Sequence, residues 1–319
     1  MSSCLTILIL ALLLAFPALA VEGASAGLLL WFNVVLPTLA PFMICTKMVS
    51  VFGAEELLIR PVYPLIHRLF GYSREGAYVL FCGLLCGYPL GAKLCAEKKS
   101  KGMLVPAEAK CLLAVSNHPS PMFLLGFVNR QLAALSIPGF SPYLILLSLY
   151  LPILPISVLA KRIYQVSTTQ SQTQSCLSGS AESIDSESIK SEPIKSESIE
   201  DAIFSTAHTM VLIGGWIMLF SILARWIQTI PVLSIKEKAV FGGIAEITTG
   251  IPLICSAFSD EKKLCMILTV VCAAFGGCSG ISQTRSVLIE KNAGLSIRHY
   301  ILWKAVHALL AAGILIFLL

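Results

Sequence analysis

The sequence predicts an all-α fold, a polytopic bundle of transmembrane helices in two repeats, each holding a short segment broken by glycine and proline. Three observations predict it. Only 13% of residues are charged while 56% are apolar, against roughly 25% charged in ordinary soluble domains, so too few charges exist to cover a water-facing surface. Apolar runs at 5–21, 25–52, 77–92, 111–128, 142–160, 203–227, 238–258, 264–282 and 300–319 alternate with short polar connections, the pattern of spans and loops. Finally, the chain resembles itself across a polar linker.

The first run ends in Ala18-Leu19-Ala20, like a signal-peptidase site, but no Lys or Arg precedes it, and a signal peptide begins with positive charge. Residues 1–24 therefore read as an uncleaved N-terminal transmembrane segment. Residues 25–165 read as the first membrane repeat, beginning with a span bent at Pro37 and Pro41. Residues 77–92, AYVLFCGLLCGYPLGA, are short for a crossing of about 20 residues. Gly83, Gly87 and Gly91 recur there every four residues around Pro89. That spacing clears one helix face for close backbone approach, and the proline frees a carbonyl. Backbone broken at membrane depth survives only when buried in protein or lining a wet cavity, so the segment either crosses or turns back as a re-entrant element. The run at 111–128 is interrupted by Ser116-Asn117-His118-Pro119-Ser120-Pro121. A span kinked at Pro152 and Pro155 ends in Lys161-Arg162.

Residues 166–201 are rich in Ser, Glu, Gln and Thr, with isoleucines at 184, 189, 194 and 199. A five-residue period fits neither helix nor strand, and the composition reads as a disordered polar linker. Residues 202–319 read as the second membrane repeat. FCGLLCGYPLGAKLC from Phe81 aligns with FGGIAEITTGIPLIC from Phe241 at an offset of 160 residues, pairing Gly83 with Gly243 and Cys95 with Cys255. At that offset the break around Asn117 meets Gly276-Gly277-Cys278-Ser279-Gly280. Broken segments in matching positions of two halves point to a binding site at the bilayer midplane. If 77–95 turns back, the halves are inverted relative to each other. The basic loops 53–76 and 96–110 then share the cytoplasmic side, as the positive-inside rule asks, but Lys236, Lys238, Lys262 and Lys263 face out against it.

Glu246 is the most informative residue, since an ionisable group inside an apolar run costs a few kcal/mol and marks function by default. It could bind a proton, a sodium ion or a polar substrate, or it could be an end-of-segment Glu near a headgroup. Asn117 offers both donor and acceptor, and His118 could relay protons. Both could equally serve helix packing. The candidate substrate-binding set is Tyr88, Asn117, His118, Ser120, Glu246, Thr248, Ser279 and Gln283. The helix-breaking and close-packing set is Gly83, Gly87, Pro89, Gly91, Pro119, Pro121, Gly250, Gly276 and Gly277. Lys93 and Arg285 read as snorkelling ends, with a Lys93–Glu246 pair as an alternative.

Enzyme signatures are missing. The sequence has no HExxH, P-loop or GxGxxG, and Ser116 with His118 does not form a GxSxG nucleophile elbow, which argues against catalysis. Its eleven cysteines form no CxxC pair and read as small packing residues. No metal, cofactor or catalytic residue is expected, and the basic residues form no nucleic-acid stripe.

CGYPLGAKL (86–94) followed by SNHPSP (116–121), then GGIAEITTG (242–250) followed by FGGCSGISQ (275–283), resembles the YlbJ-type sporulation integral membrane proteins of the nucleoside-recognition, or Gate-domain, family. The resemblance covers roughly residues 25–319 and lies in the order of these four stretches. Matching positions are Gly87, Tyr88, Pro89, Gly91, Lys93, Ser120, Pro121, Glu246, Gly250, Gly276, Gly277 and Gln283. It implies a multi-pass cell-membrane protein needed for spore formation and akin to nucleoside transporters. The expected function is movement of a small polar solute or ion, in the family's terms a nucleoside-like one. The alternative is a non-transporting scaffold or assembly factor in sporulation. Expected partners are the lipid bilayer, the solute or a coupling ion, and either a second copy of the chain or sporulation membrane proteins.

Overall fold

In the computed structural model, described for residues 3–166 and 198–319, every regular element is helical. The linker expected at 166–201 falls almost wholly outside the described residues. Five segments among the described residues are long and apolar enough to cross a bilayer: Pro17–Val51, Pro142–Tyr164, Ile199–Thr229, Lys262–Glu290 and Ile297–Leu318.

The chain begins with α1 (Ser3–Ala15) and then α2 (Pro17–Val51), which is continuous through a π turn at Trp31–Val35. The helix break therefore lies at Phe16-Pro17, earlier than the separation between runs 5–21 and 25–52 suggests. Pro17 cannot continue α1, but its fixed φ suits the first turn of a new helix. Short helices α3 (Glu55–Ile59) and α4 (Tyr63–Phe70) follow.

Next, α5 (Arg74–Cys86) and α6 (Leu90–Ser100) fold back on each other. Gly87 turns the chain at φ 83°, a left-handed value that glycine adopts without strain. The hairpin closes because its contact points lack Cβ atoms. A Cβ on Gly83 would lie 2.9 Å from Gly91 Cα, and one on Gly91 would run into the carbonyl of Ser116. Residues 77–92 thus hold the turn of a helical hairpin, α5–α6. Then α7 (Pro106–Val115) stops at Ser116, and the chain resumes at Pro121 as α8, from Pro121–Phe123 through a π turn at Leu124–Val128 to Asn129–Ala133. Ser120 caps it, its hydroxyl accepting from Phe123 N at 3.2 Å. The long α9 (Pro142–Tyr164) ends the first half.

After the linker, α10 (Ile199–Thr229) starts from a capping box of Ser198 and Asp201. A second hairpin follows, α11 (Ile235–Ala245) and α12 (Ile247–Ala257). A Cβ on Gly250 would fall onto Gly243 Cα, so this hairpin also closes through glycine against glycine. Finally, α13 (Lys262–Phe275) breaks at Gly276 into α14 (Gly277–Glu290), and α15 (Ile297–Leu318) completes the bundle.

Contacts at the helix ends separate two faces of the bundle. At one, Lys98 bridges Glu55 and Glu75, Lys99 reaches the Ala293 carbonyl, Lys291 lies 3.5 Å from Glu97, and Trp303 Nε1 donates to Tyr164 at 2.9 Å. At the other, Lys262 donates to the Ser136 carbonyl at 3.2 Å, Lys263 to the Leu319 carbonyl at 3.4 Å, and Lys236 pairs with Glu261. The base of hairpin α5–α6 belongs to the first face and that of α11–α12 to the second. The hairpins therefore enter the bundle from opposite sides.

Two outcomes follow from this packing. Gly91→Ala forces a methyl into backbone and should cost at least about 1–3 kcal/mol. Gly313→Ala, with open space around it, should stay within about 0.5 kcal/mol of wild type. Thermal unfolding in detergent compares the two. The first face also carries Arg60, Arg68, Arg74, Lys99, Lys101, Lys110, Lys161 and Arg162 in or beside its loops, so the positive-inside rule directs it to the cytoplasm. Alkaline phosphatase fused after Asp260 should then be active, and fused after Lys101 inactive.

Candidate functional site

The two hairpin tips and the two helix breaks meet at one cavity of about 40 Å³, room for about three waters. Tip one contributes Gly87 and Tyr88, and the first break Pro119, Ser120 and Phe123. Tip two contributes Glu246, Ile247 and Thr248, and the second break Gly276, Gly280 and Gln283. Val35, Thr38 and Leu39 of α2 and Ile213 and Ile217 of α10 close the sides.

Each tip seats against a break. A Cβ on Gly87 would sit 2.8 Å from Ser120 N and 3.2 Å from the His118 carbonyl. A Cβ on Gly277 would sit 3.2 Å from the Ile244 carbonyl. Tyr88 crosses to the other half, its ring lying over Gly276 and Gly280. Tyr150 ties the first break to α9 by donating to the Pro119 carbonyl at 2.7 Å.

Glu246 forms the tip of the second hairpin. Its extended backbone interrupts the helix, and its Oε2 accepts from Thr248 Oγ1 at 2.5 Å and Thr249 N at 2.8 Å. The carboxylate thus caps α12, where the helix dipole favours negative charge. Thr249 in turn meets Ser221 of α10 at 2.9 Å. Glu246 is 2% exposed, and among the described residues no cation forms an ion pair with it. Lys93 does not pair with it. It is buried rather than snorkelling, and donates to Thr209 at 2.8 Å and Ser205 at 3.3 Å on α10.

Tyr88, Ser120, Glu246, Thr248 and Gln283 therefore line the cavity together. Ser279 stands one helical turn from Gln283 and accepts from its Nε2 at 3.0 Å. Asn117 and His118 sit outside the lining. Asn117 Oδ1 accepts from Ala92 N at 3.2 Å, while its Nδ2 donates to Thr284 at 3.0 Å and Tyr300 at 2.8 Å. One side chain so joins the first break to α6, α14 and α15. His118 is wholly buried, its ring 4.2 Å from that of His307. Neither of its ring nitrogens has a hydrogen-bond partner among the described residues.

Sequence reasoning passes over Lys304 and His307. Lys304 is 1% exposed, donates to the Asn117 carbonyl at 3.3 Å and lies 5.7 Å from the centre of the Tyr88 ring. His307 Nε2 lies 2.7 Å from the Leu149 carbonyl. The signal was present: both interrupt the apolar run of α15, and the rule that singles out Glu246 applies equally to them.

Among curated proteins, the chain is similar to the sporulation integral membrane protein YlbJ of Bacillus subtilis (strain 168). The two are 25% identical over 306 residues, covering 88% of this chain and 73% of that protein. The similarity accords with the four-stretch resemblance to YlbJ-type proteins. No family model matches the chain, and no solved structure matches it.

Asn117→Ala strands the Ala92 N–H and removes the partner of two hydroxyls. At about 1–3 kcal/mol for each buried group left unpaired, the loss should exceed about 2 kcal/mol. Thermal unfolding should show a clear fall in midpoint, while Glu246→Gln, whose amide oxygen can still cap α12, should stay close to wild type.

Proposed function

We propose that the protein moves a small polar solute or ion across the cell membrane through the cavity between the hairpin tips. The observation that carries this reading is convergence. Four interruptions of helical backbone, separate in sequence, surround one cavity that also holds a buried carboxylate with no ion-pair partner among the described residues. Interrupted backbone at membrane depth is tolerated where it lines such a cavity, and midplane sites between broken helices are a recurrent transporter arrangement.

The hairpins provide a means of access. Each tip lies between the cavity and the face from which its hairpin enters, so withdrawing one opens the cavity to one side. Among the described residues, contacts between tip and break are small-residue packing and the neutral hydrogen bond from Ala92 N to Asn117 rather than ion pairs, so separating them leaves no opposed charges stranded in lipid. No step requires bond-making by the protein, and we assign it no catalysis. The name of the Bacillus subtilis relative supports a role in sporulation. The cavity in this closed arrangement admits an ion, waters or one polar group of a solute, so a nucleoside-sized molecule would need the tips to part.

The test is uptake of a labelled panel of nucleosides, carboxylates and inorganic ions by the purified protein in liposomes. Transport should occur and fall at least tenfold in Glu246→Gln, with that variant folded and inserted. No uptake across the panel by folded wild-type protein would overturn the reading.

A further inference from the structure

We propose that the central site recognises an anionic oxygen group, a carboxylate or phosphate, held by the N-terminus of α14, the Lys304 ammonium and the Tyr88 hydroxyl. This deepens the transport reading and rests on it. The argument is an imbalance of donors over acceptors. Lys304 can donate three hydrogen bonds but makes one among the described residues, to the Asn117 carbonyl at 3.3 Å. The Tyr88 hydroxyl is buried with no partner among the described residues.

Geometry brings these groups to one point. A Cβ on Gly276 would lie 3.8 Å from the Tyr88 ring and 3.9 Å from Lys304 Cε, so Gly276 leaves the space between them open. Immediately after it α14 begins at Gly277 with no side-chain cap, so the positive end of its dipole lies beside this space. The contrast with the other hairpin tip is informative. There α12 receives a carboxylate from its own chain, Glu246. At α14 the cap position is glycine, and a lysine stands beside it instead. A buried ammonium facing an uncapped helix N-terminus is electrostatically unfavourable until an anion lies between them. The shared chemistry is a compact group with several acceptor oxygens. A neutral amide of the same shape would supply fewer acceptors and no charge.

The experiment measures thermal unfolding of the full-length protein in detergent, with acetate or inorganic phosphate compared against acetamide and chloride at matched ionic strength. Binding to the folded state raises the midpoint by mass action. Acetate or phosphate should raise it by several degrees over acetamide and chloride, and Lys304→Met should remove that difference while Lys304→Arg keeps it. Should Lys304→Met fail to fold, Tyr88→Phe decides, and it should reduce the difference at least by half. Equal midpoints in all four solutes would overturn the proposal. So would an anion effect unchanged in the variants, which marks a general salt effect. A midpoint that follows pH but not the anion would also overturn it, in favour of a proton site. Uptake of a neutral solute without anion stabilisation would sink this inference alone, and anion stabilisation without uptake of any solute would sink the transport reading alone.

Discussion

The structure depends on one constraint, that backbone groups inside a bilayer must find partners within the protein. Four times the chain breaks a helix at depth, after Cys86, Val115, Ala245 and Phe275. Each break would leave unpaired carbonyls and N–H groups if it faced lipid. The chain meets the constraint by placing breaks against one another. Gly87 lies on the segment around Ser120, Gly277 lies on the carbonyls of Ile244 and Ala245, and Tyr88 spans from the first tip to the second break. Glycine at these points is a requirement of distance, because the Ser116 carbonyl occupies the space a side chain on Gly91 would need. The site is therefore a consequence of how the breaks are satisfied.

The same arrangement explains where charge can be buried. Glu246 rests on the N-terminus of α12 and two threonines, while Lys304 rests on the carbonyl of Asn117 and the face of Tyr88. Neither is in an ion pair among the described residues, and Tyr88 contacts the environment of both. Uncompensated charge in this position costs several kcal/mol, a burden that stability alone does not explain. Asn117 has the opposite character. Both ends of its side-chain amide are engaged by α6, α14 and α15, so it positions the break that carries Ser120.

Much of the fold and site was legible in the sequence, for identifiable reasons. A helical membrane bundle follows from charge deficit and long apolar runs, and the hairpins follow from glycine spacing that serves only close backbone approach. Tyr88, Ser120, Glu246, Thr248 and Gln283 were readable because they sit on or beside those breaks, where backbone irregularity itself marks a cavity. Asn117 was ambiguous because a buried amide needs partners of some kind, and only tertiary contact decides between protein and solute. Lys304 and His307 were obscured by the regularity of α15. An uninterrupted helix draws attention to its length, although two ionisable residues three positions apart place both on one face. The division at Phe16-Pro17 was hidden because the apolar composition runs straight through it.

Opposite entry of the two hairpins has a consequence that neither hairpin has alone. Because each tip is seated on a break in a spanning element, a tip can leave its seat while the rest of that span stays anchored by its own ends. The α5–α6 hairpin is held at its base by Lys98 between Glu55 and Glu75, and α11–α12 by Lys236 with Glu261. Both bases are tied by ion pairs, whereas the tip regions are held by glycine packing and neutral hydrogen bonds, Ala92 N to Asn117 and Thr249 to Ser221. The firm ends thus lie at the membrane faces and the separable ends at the cavity. Under a transport reading that distribution is the useful one, since access can change at the centre without loosening the ion pairs at either face. It also explains why Tyr88 reaches into the second half: movement of the first tip then alters the walls of a site that the second half helps to build.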